Sequence, residues 1–88
     1  MNDNWKGERI GHKNAWVKNS CMLISYNTPV AYYGLDGLFK TAGQYSVTTR
    51  KHINDWFRKL GMDPTKIEVR SQKWFDDKLE LCLRKEKQ

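Results

Sequence analysis

Residues 48–60 carry the strongest constraint on the fold of this chain, because their large apolar residues recur with the period of an α-helix. Four of them fall at i, i+3, i+4 and i+7, namely Ile53, Trp56, Phe57 and Leu60. This spacing places them on one helix face. Thr48 or Thr49 supplies an N-cap oxygen, and Gly61 suits the residue that follows a helix end. A helix with a single apolar face needs a second layer to cover it.

The residues before this helix are typical of that second layer, because they form short β-rich runs. CMLISY at 21–26 and VAYYGL at 30–35 are separated by Asn27-Thr28-Pro29, where proline marks a break or an edge. Asp36-Gly37 is predicted as the two-residue turn of a hairpin with the next run. That turn pairs Tyr33 with Lys40 and places both on one face of the sheet.

A shorter strand and a second helix are predicted after the first helix. TKIEVR at 65–70 alternates polar and apolar residues, and Ser71 then caps an amphipathic helix. The predicted fold is α+β, with a small, mostly antiparallel sheet packed against two amphipathic helices in the order β-β-β-α-β-α. The predicted core is Leu23, Ile24, Val30, Phe39, Ile53, Trp56, Phe57, Leu60, Ile67, Val69, Phe75 and Leu79.

The chain is predicted to hold one domain, since 88 residues can build only one modest core. Residues 21–84 are predicted to form that domain, with 85–88 as a frayed tail. Residues 1–20 are polar, show no helical or strand period, and are predicted to form an irregular N-terminal arm. Trp5 and Trp16 are expected to pack this arm across the domain.

The positive charge of the chain is concentrated on the first helix. Sixteen lysines and arginines against ten acidic residues give a net charge of +6. Residues 50–62 alone hold four basic residues and one acidic residue, so this segment contributes +3 to the net charge. The predicted binding residues are Arg50, Lys51, Arg58 and Lys59 on this helix, with Tyr33 and Lys40 as contacts from the sheet.

No motif in the sequence names a reaction. His12, Cys21, His52 and Cys82 are singly spaced, whereas zinc ligands usually come in close pairs, so no metal is predicted. The two cysteines are expected to be reduced. Because neither a phosphate loop nor a nucleophile with a base is evident, we expect a protein that is not an enzyme and holds no cofactor. The absence of a signal peptide or apolar span favours a cytoplasmic protein without a membrane partner.

One polar segment at the start of the first helix could bind an anion. Ser46, Thr48, Thr49 and His52 lie beside Arg50 and Lys51, where the helix dipole and unpaired amides favour negative charge. The alternative interpretation is structural: one threonine caps the helix and His52 packs against the sheet.

Two strings in this region resemble a known family. Residues 23–31 read LISYNTPVA, and residues 45–53 read YSVTTRKHI. They are similar to an uncharacterised family of small proteins found mostly in bacteriophages and mobile elements. The resemblance covers about residues 22–60 and implies no activity. It implies that Ser46, Thr48, Thr49 and His52 are polar positions that the family shares.

Two functions remain open from the sequence. The first is a phage-type accessory protein that binds and modulates a host protein or ribonucleoprotein complex. The partner would present an acidic surface, and it could be a host defence complex that this protein inhibits. The second is a nucleic-acid-binding module whose helix at 48–60 contacts the phosphates of DNA or RNA. Trp, Tyr and Arg anchors favour the first, and the basic helix face fits both.

Overall fold

In a computed structural model, which describes residues 4–43 and 46–86, a six-stranded sheet packs against two helices. The strands are β1 (Glu8–Arg9), β2 (Ala15–Lys18), β3 (Met22–Ser25), β4 (Thr28–Gly34), β5 (Gly37–Thr41) and β6 (Glu68–Arg70). The helices are α1 (Val47–Lys59) and α2 (Gln72–Glu86), and short 3-10 turns occupy Asn4–Lys6 and Pro64–Lys66. The predicted α+β fold is confirmed.

The strands follow one another across the sheet in chain order. Strands β1 to β5 pair with their neighbours in antiparallel fashion, so each connection is a hairpin. Strand β6 instead lies parallel to β5, with Phe39 opposite Glu68. Parallel neighbours need a crossover connection, and α1 supplies it.

The two helices cover the two faces of the sheet, because neighbouring strand residues alternate between two apolar clusters. The first cluster, on the α1 side, contains Ala15, Leu23, Val30, Ala31, Ile53, Trp56, Phe57 and Ile67. The second cluster, on the α2 side, contains Trp16, Met22, Ile24, Tyr32, Phe39 and Phe75. Strands β2 to β4 therefore contribute buried side chains to both faces of the sheet.

The predicted core agrees with the observed burial except at β6. Leu60 and Leu79 are partly buried at the margins of the two clusters. Val69, however, is 51% exposed, so its assignment to the core was wrong. The cause is its position on an edge strand, all three residues of which are exposed.

The prediction of an irregular arm at residues 1–20 was wrong for two segments. Strands β1 and β2 pair with each other, and β2 pairs with β3, so the folded sheet begins before residue 21. The predicted order β-β-β-α-β-α therefore lacks two strands. Asn19 and Ser20 make the turn into β3 with positive φ angles of 53° and 61°. Residues 1–3 of the predicted arm lie outside the described residues.

The expected packing of the two tryptophans is confirmed. Trp16 is 6% exposed in the second cluster, and Trp5 packs at its margin. Two lysines pack with them: the Lys6 ammonium lies 4.0 Å from the centroid of the Trp16 ring, and Lys18 donates a hydrogen bond to the Trp5 carbonyl. Cation–π contact and a carbonyl acceptor compensate for burying these charges.

The predicted hairpin exists, but its turn is shifted by one position. Leu35 and Asp36 form the turn, because Gly34 pairs with Gly37 and Tyr33 pairs with Leu38. The predicted pairing of Tyr33 with Lys40 was therefore wrong by two residues. Side chains alternate with a period of two, so this error left Tyr33 and Lys40 on one face of the sheet, as predicted.

Strand β4 also carries a bulge beside Pro29. Leu23 pairs with Ala31, whereas the next residue, Ile24, pairs with Pro29, so Val30 is an extra residue in β4. A bulge is a place where a strand tolerates a proline.

Helix α2 continues through Lys85 and Glu86, so the predicted tail at 85–88 starts too early. Residues 87–88 lie outside the described residues. Within the described part of the chain, neither helix combines the length and the apolar composition that crossing a membrane requires.

Candidate functional site

The outer face of α1 holds the four basic residues that were predicted from the sequence as binding residues. Ser46 caps the helix, so the prediction of Thr48 or Thr49 as the N-cap was wrong. The Ser46 side chain accepts a hydrogen bond from the Thr49 amide at 3.2 Å. Ile53, Trp56 and Phe57 are buried against the sheet. The same geometry leaves the cations in solvent on the opposite side, and these are Arg50, Lys51, Arg58 and Lys59.

These four cations differ in their partners. The Arg58 guanidinium lies 3.8 Å from the Asp55 carboxylate, and the Lys59 ammonium donates to the Ile10 carbonyl at 3.0 Å. Among the described residues, the Arg50 and Lys51 side chains have neither an ion pair nor a hydrogen bond. The amino-terminal end of α1 therefore carries the cations that are most available to a partner.

The charges on α2 are arranged differently, because most of its cations have carboxylate partners. Lys73 pairs with Asp77 at 2.8 Å, and Lys78 pairs with Asp36 at 2.9 Å. Arg84 pairs with Glu80 one turn away. The basic excess of the described helices thus lies on the α1 side of the sheet.

A cleft of about 380 Å³ opens between β5, α1 and the 3-10 turn at Pro64–Lys66. Its lining includes two predicted binding residues, Lys40 and Arg50. The Lys40 ammonium donates to the Pro64 carbonyl at 2.8 Å, which fixes it at the cleft wall. The remaining lining residues are Thr41, Gly43, Ile53, Asn54, Pro64 and Thr65. We call this space the Lys40–Arg50 cleft.

Tyr33, the other predicted contact from the sheet, is not part of this cleft. It pairs with Leu38 on the same face of the sheet as Lys40 and is 37% exposed. The structure therefore unites Lys40 with Arg50 and leaves Tyr33 apart.

Two residues of the candidate anion site, Thr49 and His52, form a buried polar cluster with Ser25. Ser25 Oγ lies 3.0 Å from Thr49 Oγ1 and 2.9 Å from His52 Nδ1, and both contacts are hydrogen bonds. Ser46 Oγ donates to Thr49 Oγ1 at 3.4 Å. Ser25 and His52 are each 2% exposed. We call Ser25, Thr49 and His52 the buried polar cluster, to which the exposed Ser46 bonds through Thr49.

A second histidine extends this cluster to the first hairpin. The His12 ring lies 4.8 Å from the His52 ring, and His12 Nε2 lies 3.0 Å from Asp55 Oδ2. Burial is the main cause that lowers the pKa of His52, and the charge of Lys51 acts in the same direction, whereas Asp55 opposes it. His52 is therefore neutral at pH 7, and it does not supply positive charge to an anion.

Thr48 stands apart from the other three residues of the candidate anion site. It is exposed, and no hydrogen bond of its side chain occurs among the described residues. The structure thus brings Ser46, Thr49 and His52 together: Ser46 bonds to Thr49, and Thr49 and His52 each bond to Ser25. Ser25 was missed at the sequence level, because it lies on β3, far from the helix in the chain.

The four residues weighed as metal ligands divide between the two faces of the sheet. His12 and His52 contact each other on the α1 side, whereas Cys21 packs on the second cluster. Burial raises the pKa of the Cys21 thiol, and Cys82 adds to the effect. Among the described residues, no three His, Cys, Asp or Glu side chains lie together as metal ligands.

An apolar pocket at the other end of α1 was not predicted. It measures about 550 Å³ and lies between the first hairpin and the carboxyl-terminal turns of α1. Apolar side chains form much of its wall, and Glu8 and Lys59 are the charged residues among those that line it. The lining residues are Gly7, Glu8, Ile10, Val17, Asn19, Ser20, Trp56, Lys59 and Leu60. The pocket was missed because it needs β1 and β2, which the sequence did not reveal.

Comparison with known proteins gives one match. A model of a family of unknown function matches residues 2–77. This span includes the N-terminal segment, which the resemblance at residues 22–60 had left out. No curated protein and no solved structure gives a significant match.

Proposed function

Because this chain belongs to DUF8033, the family of unknown function whose model it matches, we propose its function from its own surface. We infer that it is a small non-enzymatic accessory protein. It binds an acidic surface of a host protein or ribonucleoprotein complex through α1 and thereby modulates that complex. The observation that carries this proposal is the contrast between the open cations of α1 and the paired cations of α2.

The contrast matters because a carboxylate beside a cation reduces the positive potential that the cation presents to a partner. Exposed ion pairs contribute little to stability, so the pairing on α2 serves mainly to neutralise that surface. Arg50 and Lys51 keep their full charge for an incoming group. Complementary charge speeds encounter and selects the partner more than it adds affinity.

The apolar pocket beside α1 adds an anchor to this basic face. Interfaces gain most of their energy from a few buried anchor side chains surrounded by polar contacts. Trp56 and Val17 line a pocket that could receive such a side chain, with Lys59 at its margin. We therefore expect a partner segment that combines a bulky apolar residue with acidic neighbours.

The non-enzymatic part of the proposal is supported by the burial of the best nucleophile pair. Ser25 Oγ contacts His52 Nδ1 in a geometry that resembles a serine–histidine pair. However, both residues are 2% exposed, and Ser25 also bonds to Thr49. A substrate could reach the Ser25 hydroxyl only if α1 separated from the hairpin that holds Ser25.

The setting that we infer is a bacteriophage or a mobile element acting in the cytoplasm of its host. Its support is the resemblance of residues 23–31 and 45–53 to the phage-associated strings. In that setting a basic accessory protein could take part in host takeover or inhibit a defence complex.

A capture experiment with matched charge reversals tests the proposal. The tagged chain is incubated with nuclease-treated host lysate, and retained proteins are quantified by mass spectrometry. The variant K51E/R58E reverses two exposed charges on α1, and K73E/K85E makes the same change in net charge on α2. We expect a specific partner that is retained by the wild type and by K73E/K85E but is lost with K51E/R58E.

The partner must then bind directly when purified, with lower affinity for K51E/R58E. Equal loss with both double variants would mean that net charge alone governs capture, and the proposal would be wrong. Retention of no partner at all would also contradict it. Circular dichroism of both variants confirms that the fold is intact.

Direct nucleic-acid binding is the second candidate function. The side chains of Arg50 and Lys51 favour it, since lysines and arginines bind phosphates and these two have no ion pair within the described part of the chain. Binding of DNA or RNA by the purified chain should then weaken steeply with salt. Absence of binding at low salt would exclude this candidate.

A further inference from the structure

The Lys40–Arg50 cleft combines two cations with a concave surface, and both cations keep donors for a ligand. An ammonium has three donors, and Lys40 uses one of them on the Pro64 carbonyl. A guanidinium has five, and Arg50 uses none of them on the described residues. The two side chains reach the same space from different elements, β5 and α1.

Lys40 is partly preorganised for binding. It is half-buried, and its bond to Pro64 holds the ammonium against the 3-10 turn. An ordered side chain loses less rotamer entropy when a ligand arrives, which distinguishes it from an ordinary surface lysine.

The other lining residues supply one neutral donor and apolar walls. Asn54 lines the cleft, and no side-chain hydrogen bond of Asn54 occurs among the described residues, whereas Ile53 and Pro64 are apolar. A small concave site with a few convergent polar groups is typical of ligand binding.

One carboxylate lies near the cleft and reduces its positive charge. Asp63 precedes the lining residues Pro64 and Thr65 and accepts bonds from the Thr65 amide at 3.0 Å and the Thr65 hydroxyl at 2.7 Å. These bonds lower the pKa of Asp63, so it is ionised at pH 7. Two cations against this one carboxylate leave the site positive.

We propose that the Lys40–Arg50 cleft binds a phosphate group. A phosphate presents three or more oxygens in a tetrahedral arrangement, so the Arg50 fork, the Lys40 ammonium and the Asn54 amide can each reach a different oxygen. A carboxylate carries a single negative charge, whereas a phosphate monoester carries about −1.5 to −2 at pH 7 and so gains more from two cations. The volume of about 380 Å³ leaves room for a sugar beside the phosphate.

This site shares Arg50 with the proposed docking face of α1, but neither Lys51 nor Arg58 lines it. The phosphate could belong to the backbone of a nucleic acid or to a free nucleotide. Both sources offer the same chemistry to the two cations, so the experiment must separate them.

The test is a titration of the whole chain with three probes, followed by amide chemical shifts and calorimetry. The probes are inorganic phosphate, adenosine monophosphate and a ten-nucleotide single-stranded RNA. The variants are R50Q and K40Q, and K66Q is the matched control because Lys66 is exposed and does not line the cleft.

We expect shifts confined to β5, the first half of α1 and residues 63–66. Losing one charge-assisted bond weakens binding by about tenfold, so R50Q and K40Q should each show this loss. K66Q should stay within about twofold, as expected for an exposed charge outside the contact. K51E/R58E should keep its affinity for inorganic phosphate, which separates this site from the docking face.

The probes distinguish the two sources. A nucleic-acid site binds the RNA tightest, and R50Q lowers the magnitude of its salt slope by about one. A nucleotide site binds adenosine monophosphate at least as tightly as the RNA. Failure of all three probes to bind, or an equal loss with K66Q and R50Q, would overturn the proposal.

Discussion

At the scale of single residues, the buried polar cluster shows how a small domain accommodates an imidazole in its interior. His52 is 2% exposed, and Ser25 satisfies its Nδ1 atom at 2.9 Å. Ser25 in turn bonds to Thr49. A buried polar group without such a partner would lose its hydration with no compensation. The cluster therefore fixes the position of α1 on β3.

Adjacent threonines provide a test of this cluster. Thr49→Ala removes the hydroxyl that bonds to Ser25, and we expect the free energy of unfolding to fall by about 1–3 kcal/mol. Thr48→Ala changes an exposed residue one position earlier and should stay within about 0.5 kcal/mol of the wild type. Urea denaturation followed by circular dichroism measures both. Equal values would show that helix propensity, and not the cluster, sets the cost.

The burial of His52 also predicts how stability depends on pH. Its pKa is lowered in the folded state, so the unfolded chain, with a pKa of about 6.5, binds the proton more readily. The free energy of unfolding is therefore unaffected by His52 well above pH 6.5, falls as the pH drops below that value, and levels off below the folded pKa. The expected loss is measured by urea denaturation at several pH values.

The variant H52Q isolates this contribution, because glutamine does not titrate. Its free energy of unfolding should fall less than that of the wild type between pH 7.5 and pH 5. An identical pH dependence in both proteins would assign the effect to other groups.

Sequence analysis identified residues well where burial follows hydrophobicity. Ile53 and Phe57 were assigned to the core and lie there. Lys6 and Lys18 could not be placed, because their burial depends on tryptophans that approach only in the folded sheet. The link between Ser25 and His52 was also missing, since residues on different elements give no local pattern.

At the scale of elements, the regular spacing of apolar residues predicted the position of a helix better than turn-forming residues predicted the position of a turn. The helix expected at 48–60 is α1 at Val47–Lys59, because four apolar positions fix its face. The hairpin turn was misplaced because Asp36-Gly37 favours a turn, whereas the observed turn lies at Leu35–Asp36. Gly37 instead adopts a φ of 129° as the first residue of β5, a conformation that favours glycine.

The attachment of the first hairpin depends on Gly7, which precedes β1. A Cβ atom added there would lie 2.1 Å from the Val17 carbonyl oxygen, and the φ of Gly7 is 89°. Gly7→Ala should therefore separate β1 from β2 and reshape the apolar pocket. We expect its stability loss to exceed the roughly 1–2 kcal/mol that a left-handed alanine costs by itself.

Gly61→Ala is the matched control for this change. Its φ is 81°, but a Cβ atom there has nothing within 4 Å, so only the backbone cost applies. Amide hydrogen exchange should show faster exchange in β1 and β2 for Gly7→Ala alone. Equal exchange in the two variants would contradict a steric role for Gly7.

At the scale of the whole molecule, one sheet supports both apolar clusters. The two N-terminal strands complete this sheet, and they escaped prediction because runs of two and four residues are too short to show alternation. The candidate cleft was likewise unreadable, since Lys40 and Arg50 meet only through the crossover between β5 and β6. The basic face of α1, by contrast, followed directly from local sequence.

Because both apolar clusters pack on one sheet, we expect the two faces of the sheet to unfold together. Phe75 is fully buried on the α2 side, and Phe75→Ala should lower the free energy of unfolding by about 3–5 kcal/mol. Amide exchange in α1 should accelerate by the same factor as in α2. Leu81→Ala, at a 53% exposed position on α2, is the control and should leave both helices near wild-type protection. Faster exchange in α2 alone would mean that the helices unfold independently.

The single parallel pair in the sheet also predicts the order in which the strands associate during folding. Strands β1 to β5 meet through short turns, whereas β6 reaches β5 only after the chain has passed through α1. Closing that longer loop costs more entropy, so the antiparallel strands can associate first. The Lys40–Arg50 cleft is walled by β5, α1 and the turn before β6, and it is complete only at the last step. A ligand that occupies it would slow unfolding and leave the rate of refolding unchanged.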